Sequence, residues 1–432
     1  MRVRWILLLA MAGVIACGYP GLMAADSADQ LDLARRWEHG DWHPATMSVL
    51  WRAIEVVIAG PVGMFVLQVV GFIVGAYWVL RHRLQDKHAA IVVVALSWFP
   101  PVLTVMLVVW KDAPMAAFLL LGIAGLLASR RRWNWLGLGA LLFASAMRHN
   151  GAAATFAPLL LLWSVGTGWR RIAMAAGLWV AITVASVGIN NALATRQEHP
   201  WVVSLAVTDI VGTIRYAPPI DDAEARQLLA GAPLTVDHDI QSTIVTRYKP
   251  RGWNAYYADN PQITWPATDA ERDGVTHAWR SVVRAYPLAY LQYRWEVFKR
   301  VIRLGIRPRV PTPMFDFAFT GDKDLYERLH HEASPSDIQR AAFWLLRRVG
   351  GIWYVPFIYI VISLVLLPLA RGDRLVMALV GSGIGYELSY FFFAPAPDYR
   401  YSQWLIVTTI LAAVIVFARR YATAREQQKS PA

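Results

Sequence analysis

Long apolar runs, divided by short basic or Pro-containing turns, dominate the chain. Seven of them, at 5–23, 62–80, 89–109, 114–128, 133–147, 152–168 and 172–192, precede a polar stretch of about 193–345. Three more follow it at 350–369, 375–394 and 402–418. Many approach the roughly 20 residues that a helix needs to cross hydrocarbon. The pattern predicts an all-α polytopic membrane protein with about ten transmembrane helices and a mixed polar region between spans seven and eight. Residues 45–59 form another apolar stretch, too short to be read as a span, and Asp29–Trp37 has a weak amphipathic pattern suited to the membrane interface.

Three regions follow from this pattern. Residues 1–192 form a membrane core whose first outer loop is 25–60, residues 193–345 a single outer domain, and residues 346–432 the last spans and a cytoplasmic tail. Inside the polar region the helical candidates are Asp222–Leu229, Asp269–Arg284 and Leu288–Leu304. The last is amphipathic, with Arg294, Lys299, Arg300 and Arg303 among aromatic and branched residues. It suits a helix packed on its own domain or one lying on the membrane surface.

Composition sharpens the class. The chain has 432 residues, of which 56% are hydrophobic and 17% charged, against about 25% charged in soluble domains. The net charge is +12, but the basic residues punctuate the ends of apolar runs instead of forming a patch, which argues against nucleic acid and for topology and anionic headgroups. Arg2 and Arg4, Arg81-His82-Arg83, Arg130-Arg131-Arg132, Arg170-Arg171, Arg371 with Arg374, and Arg419-Arg420 mark the inner turns, with both termini cytoplasmic. Val14-Ile15-Ala16-Cys17 resembles a lipoprotein cleavage box, yet with so many later runs an uncleaved first span is expected. Cys17 is the single cysteine, so no intramolecular disulfide forms. No internal repeat is visible, which weakens an inverted-repeat transporter reading.

Four outer turns then hold the candidate chemistry. They carry Asp26, Asp29, Asp41 and His43; Lys111 and Asp112; Arg148, His149 and Asn150; and Asp398, Tyr399, Arg400 and Tyr401. Ionisable groups at a membrane edge are costly to desolvate and read as functional by default. Each has a plainer rival. Asp26 and Asp29 suit N-caps of a helix starting near Leu31, Lys111-Asp112 a local ion pair, and Arg148 and Arg400 arginines snorkelling to headgroups. His43, His149, His330 and His331 lack metal-ligand spacing, so a zinc site is not expected. Gly381-Ser382-Gly383-Ile384-Gly385 mimics a phosphate loop, but it lies inside an apolar run, where close helix packing explains it. Glu387 is the main acid within a run, the placement that transport would favour.

In their order and sidedness, Ala25-Asp26-Ser27, Asp41-Trp42-His43-Pro44, Lys111-Asp112, Arg148-His149-Asn150-Gly151 and Arg400-Tyr401 resemble motifs of the C superfamily of glycosyltransferases. These are multispan enzymes that use polyprenyl-phosphate sugars, among them protein O-mannosyltransferases and aminoarabinose transferases. The resemblance covers most of 1–168 and 345–418; it departs from the usual His-Pro-Pro at Ala45, and 193–345 matches nothing in it. It implies a glycosyltransferase of the bacterial inner membrane that moves a sugar to a glycan, lipid or protein acceptor on the periplasmic face. Asp26, as base, and Asp112 would be catalytic. Asp29, Asp41, His43, Lys111, Arg148, His149, Arg400 and Tyr401 would bind substrate. No cofactor is certain, and a divalent cation stays open. The alternatives are a transporter or flippase of lipid-linked glycans, and a non-catalytic membrane assembly partner.

Overall fold

The computed structural model describes residues 2–162, 168–248, 263–305, 323–330, 335–349 and 351–429. Among them the secondary structure is helical throughout, with three isolated β-bridges and no strand. The chain begins with α1 (Val3–Gly18), α2 (Ala25–Arg36), α3 (Ala45–Glu55), α4 (Val62–Leu80), α5 (Asp86–Ser97), α6 (Pro100–Met106), α7 (Asp112–Leu127) and α8 (Arg131–Ala146). A 3-10 turn, Gly151–Ala154, leads into the short α9 (Phe156–Leu159) and then α10 (Trp169–Leu193). After these come α11 (Val207–Tyr216), α12 (Asp222–Leu228), α13 (Ile240–Arg247), α14 (Asp269–Ala285) and α15 (Pro287–Val301). The chain closes with α16 (Lys323–Arg328), α17 (Asp337–Arg348), α18 (Pro356–Leu369), α19 (Arg374–Phe393) and α20 (Gln403–Lys429).

Four helical segments are long and apolar enough to cross a membrane: α4, α10, α19 and the run Tyr399–Thr423 that includes the start of α20. A fifth is added if α5 and α6 are one broken crossing, bent by 72°. The expectation of about ten spans is met to that extent. Local sequence explains the shortfall. The 89–109 run breaks at Trp98-Phe99-Pro100-Pro101, where proline opens α6 instead of continuing α5. The 152–168 run forms only the 3-10 turn and the four-residue α9 up to residue 162, and 163–167 lie outside the described residues. α7 and α8 have 16 residues each, about 24 Å of helix.

Contacts divide the chain into two compact units. One holds residues 1–196, 307–387 and 400–432; the other holds 197–306 and 388–399. The boundary therefore falls within the polar stretch read as one domain. Among the contacts that tie its later part to the first unit, Tyr326 Oη donates to Met23 O at 3.0 Å, Arg35 Nη1 to Leu329 O at 3.2 Å, and Gln339 Nε2 to Tyr19 O at 2.9 Å. Helices stand where 222–229, 269–284 and 288–304 were expected.

The second unit packs α11 to α15 around Ile210, Ile214, Ile240, Ile244, Val275 and Val282. Its amphipathic helix α15 turns Arg294 inward, fully buried and paired with Asp209, which also accepts from Trp279 Nε1 at 2.9 Å. Hydrophobic patterning placed that arginine on the polar face. The buried acid of α11 drew it in, because a buried charge must be paired.

In the first unit, glycines let α4, α7 and α8 approach closely. A Cβ on Gly125 would lie 2.7 Å from Gly137 Cα, and one on Gly137 would lie 2.9 Å from Gly122 O and Leu126 N. Small residues at such crossings are the usual device for packing helices in lipid. A Cβ on Gly139, by contrast, meets nothing within 4 Å. Gly137→Ala should therefore cost about 1–3 kcal/mol through forced separation of the helices, while Gly139→Ala should be near neutral. Thermal unfolding of the purified protein checks this; equal midpoints for the two variants would contradict the packing.

Candidate functional site

The site forms where the ends of several helices of the first unit meet. After α1 the chain turns at Gly21, whose φ of +113° is open to glycine and strained for other residues. A Cβ there would press on Phe65 of α4 at 2.9 Å. Leu22 then bridges to the segment before α7: its N–H donates to Leu107 O at 3.1 Å, and Val109 N–H donates to Leu22 O at 2.8 Å. From inside α4, Gln68 Nε2 holds that segment by donating to Met106 O at 2.8 Å and Val108 O at 3.0 Å. Asp26, four residues past Leu22, and Lys111, three past Val108, are thereby brought to the same place.

Two further ties fix the neighbouring loop. Thr46 N and Oγ1 both donate to Asn190 Oδ1 at 2.9 Å, and Asn190 Nδ2 donates to Ala146 O at 3.1 Å, so the start of α3 and the ends of α8 and α10 are joined. Arg35 of α2 donates from Nε to Glu55 of α3 at 2.7 Å. The turn carrying Asp41, Trp42 and His43 is framed by these contacts.

Charged groups from four distant segments converge here. Arg400 Nη2 donates to Asp26 Oδ2 at 2.8 Å, with side-chain exposures of 12% and 35%. Arg148 pairs with Asp112, both buried. Lys111 Nζ lies 3.0 Å from His43 Nδ1. If the ammonium donates, the imidazole proton belongs on Nε2. Two aromatic rings line the arginines: Arg400 lies 4.7 Å from the centre of Trp110, and Tyr401 is within 5.0 Å of Arg148 and 5.8 Å of Arg400. His149 Nε2 lies 3.3 Å from Trp42 O and senses the charge of Asp41. Asp29 sits three residues along α2 from Asp26, half-buried.

These contacts replace the plainer readings. α2 has Ala24 at its N-cap position and no side-chain cap, so Asp26 is spent on Arg400 and not on its own helix. Asp112 reaches across to Arg148 instead of forming a turn with Lys111. Arg148 and Arg400 are drawn in onto carboxylates and rings, the opposite of snorkelling. The glycine run of α19 packs: a Cβ on Gly383 would strike Thr408 Oγ1 at 2.1 Å. Glu387 is buried and accepts from Ser402 Oγ at 2.7 Å.

Comparison of the chain with protein-family models, with curated proteins and with solved structures finds no match. The site therefore stands on its own geometry. Among the described residues no group of three His, Cys, Asp or Glu side chains is arranged to hold a metal ion.

Three features escaped sequence reasoning. Trp110 supplies the ring under Arg400, and its buried Nε1 has no hydrogen-bond partner among the described residues. Gln68 and Asn190 brace the site. A lone amide inside the apolar run 62–80 was a usable signal, since a polar group in a span needs a partner; nothing local marked Asn190.

The electrostatics follow from the crowding. Burial alone would raise the Asp26 carboxyl, but the Arg400 guanidinium bonded to it, with Lys111, holds it well below the usual carboxylate range. Burial, with Lys111 beside it, pushes the His43 imidazole well below its ordinary value. Lys111 is pushed down to about 7, first by burial and then by Arg148. Charging Lys111 adds positive charge, so affinity for a non-titrating anion such as sulfate should rise as pH falls through about 7 and fall above it. His43 stays neutral across that window, so the step belongs to Lys111. Calorimetric titration with sulfate on both sides of pH 7 checks this. A step of equal size in Lys111→Met would assign it elsewhere.

Proposed function

We propose that the chain is an integral-membrane glycosyltransferase that moves a sugar from a polyprenyl-phosphate donor to an acceptor hydroxyl. One observation carries the reading: Lys111, Arg148 and Arg400 gather around two carboxylates, Asp26 and Asp112, at one end of apolar helices. The N–H groups of the three cations suit the oxygens of a phosphodiester. Beside them is a partly exposed carboxylate able to accept a proton.

In the reaction, the acceptor O–H gives its proton to Asp26 as its oxygen attacks the anomeric carbon. The bond from that carbon to the phosphate oxygen breaks, and the polyprenyl phosphate leaves with the electron pair. Fixed cations lower the cost of the developing charge. Arg400 has two tasks. While it bonds Asp26, the acid is a weak base. Once its planar fork turns to the donor phosphate, Asp26 gains basicity as its cation is shared. Arg148, positioned by Asp112 and Tyr401, and Lys111 complete the anion site, and Trp110 Nε1 offers a further donor. Asp29, Asp41, His43 and His149 line the approach.

In this reading the shorter and broken apolar helices complete about ten crossings of a bacterial inner membrane. Both termini are cytoplasmic, and the site and the 197–306 unit are periplasmic. The acceptor is a glycan, lipid or protein hydroxyl, and a divalent cation is not required by the scheme. A second reading, a flippase of lipid-linked glycans, draws on Glu387, a buried carboxylate within α19. It calls for movement of intact donor with no cleavage.

Donor-concentration dependence of turnover tests the proposal. Arg→Lys keeps charge but loses the fork, so Arg400→Lys and Arg148→Lys should each weaken donor use. Asp26→Asn should lower the maximal rate by about 10²–10⁴-fold with normal protein levels. Lys variants that match wild type across the donor range would remove the phosphate assignment. An Asp26→Asn rate within about threefold of wild type would remove the base, since that is far below a general base's usual contribution.

A further inference from the structure

At the opposite end of α4, α7 and α8 from the charged cluster lies a cavity of about 1000 Å³. Asp112 and Ala146 mark the cluster end of α7 and α8, whereas Leu80, Leu127 and Arg131 mark this one. The cavity's charged rim stands about one helix length of α7, 16 residues or about 24 Å, from the cluster, and its walls run back along α7 and α8 as far as Phe118 and Phe143. The cavity's walls are apolar and include Phe118, Leu121, Leu136 and Phe143; its rim carries Arg81, His82 and Arg130.

The rim is positive and poorly neutralised. Among the described residues no carboxylate pairs with Arg130, Arg131 or Arg132. The nearest acid to Arg81 is Asp86, at 3.6 Å with 55% of its side chain exposed, a weak pair. Arg81 lies 4.4 Å from the centre of the Trp78 ring, and Trp78 and Trp133, both partly exposed, flank the mouth. An apolar cleft between helices, a tryptophan border and guanidinium groups with at most a weak acidic partner match one ligand chemistry: acyl chains joined to a phosphate. A soluble anion would leave the walls empty, and a neutral lipid would leave the arginines unanswered. Positive charge at inner turns is general in membrane proteins; the apolar groove between the helices beneath it, open on one side, is what makes this a site.

We propose that this cavity binds an anionic phospholipid, with its acyl chains between α4, α7 and α8 and its phosphate on Arg81 and Arg130. The site is distinct from the charged cluster and does not depend on the glycosyltransferase reading. The lipid would fill the space beside the Gly125–Gly137 crossing and brace the helix that carries Lys111 and Asp112.

The full chain, purified in mild detergent, is incubated with dioleoylphosphatidylglycerol or dioleoylphosphatidylcholine at equal mole fraction. Retained lipid is counted by native mass spectrometry, and unfolding is followed thermally. Phosphatidylglycerol should be retained and raise the midpoint; phosphatidylcholine should do neither. Arg81→Gln and Arg130→Gln should each lower phosphatidylglycerol retention about fivefold, the usual worth of one arginine near a lipid phosphate. Gly139→Phe narrows the cavity from a position where a side chain meets open space. It should lower phosphatidylglycerol retention without lowering the midpoint measured in detergent alone. Equal retention of the two lipids by wild type, or undiminished retention by Gly139→Phe, would overturn the proposal.

Discussion

The ion pair between Arg400 and Asp26 joins residues 374 positions apart in the chain, and the geometry of the charged cluster depends on it. Neither group is fully exposed, and charges taken from water must find partners or lose ionisation. Asp112 and Arg148 obey the same rule alongside. The two pairs share Tyr401, so the turn before α20 serves both. Lys111, buried and beside Arg148, holds its proton less tightly than an exposed lysine does. An arriving anion would favour its charged form.

What holds these charges in place is apolar packing punctuated by a few amides. Gln68 and Asn190 each satisfy backbone groups that irregular segments leave open, at 106–108 and at 146. Such groups, buried in protein or lipid, cost free energy when unpaired. Breaks in the helices are thus where the polar side chains concentrate. The bend between α5 and α6 delivers Lys111 and Asp112 to the cluster, and the irregular 151–154 turn follows directly on Arg148 and His149.

Much of this was legible in the chain. The run 62–80 became α4 residue for residue, because an uninterrupted apolar stretch between Pro61 and Arg81 leaves no other boundary. Within the runs at 89–109 and 152–168 the helices are interrupted, since hydropathy treats Pro100, Pro101 and Pro158 as neutral filler while proline restricts where a helix can run. Asp26, His43, Lys111, Asp112, Arg148, His149, Arg400 and Tyr401 do meet, as their placement at turns suggested. Which partner each takes was not legible: adjacency favoured Lys111 with Asp112, and the fold paired them with His43 and Arg148 instead. Arg294 was hidden for the same reason, its partner Asp209 lying 85 residues earlier in the sequence.

The central claim is that the charged cluster breaks a sugar–phosphate bond in place of passing lipid-linked sugar across the membrane. Purified protein given a labelled polyprenyl-phosphate sugar and a membrane-extract acceptor provides the direct measurement: the amount of free polyprenyl phosphate formed. The account predicts release that grows with time, matches the label gained by the acceptor, and disappears in Asp26→Asn. Intact donor appearing on the far side of sealed vesicles, with no polyprenyl phosphate formed, would contradict it.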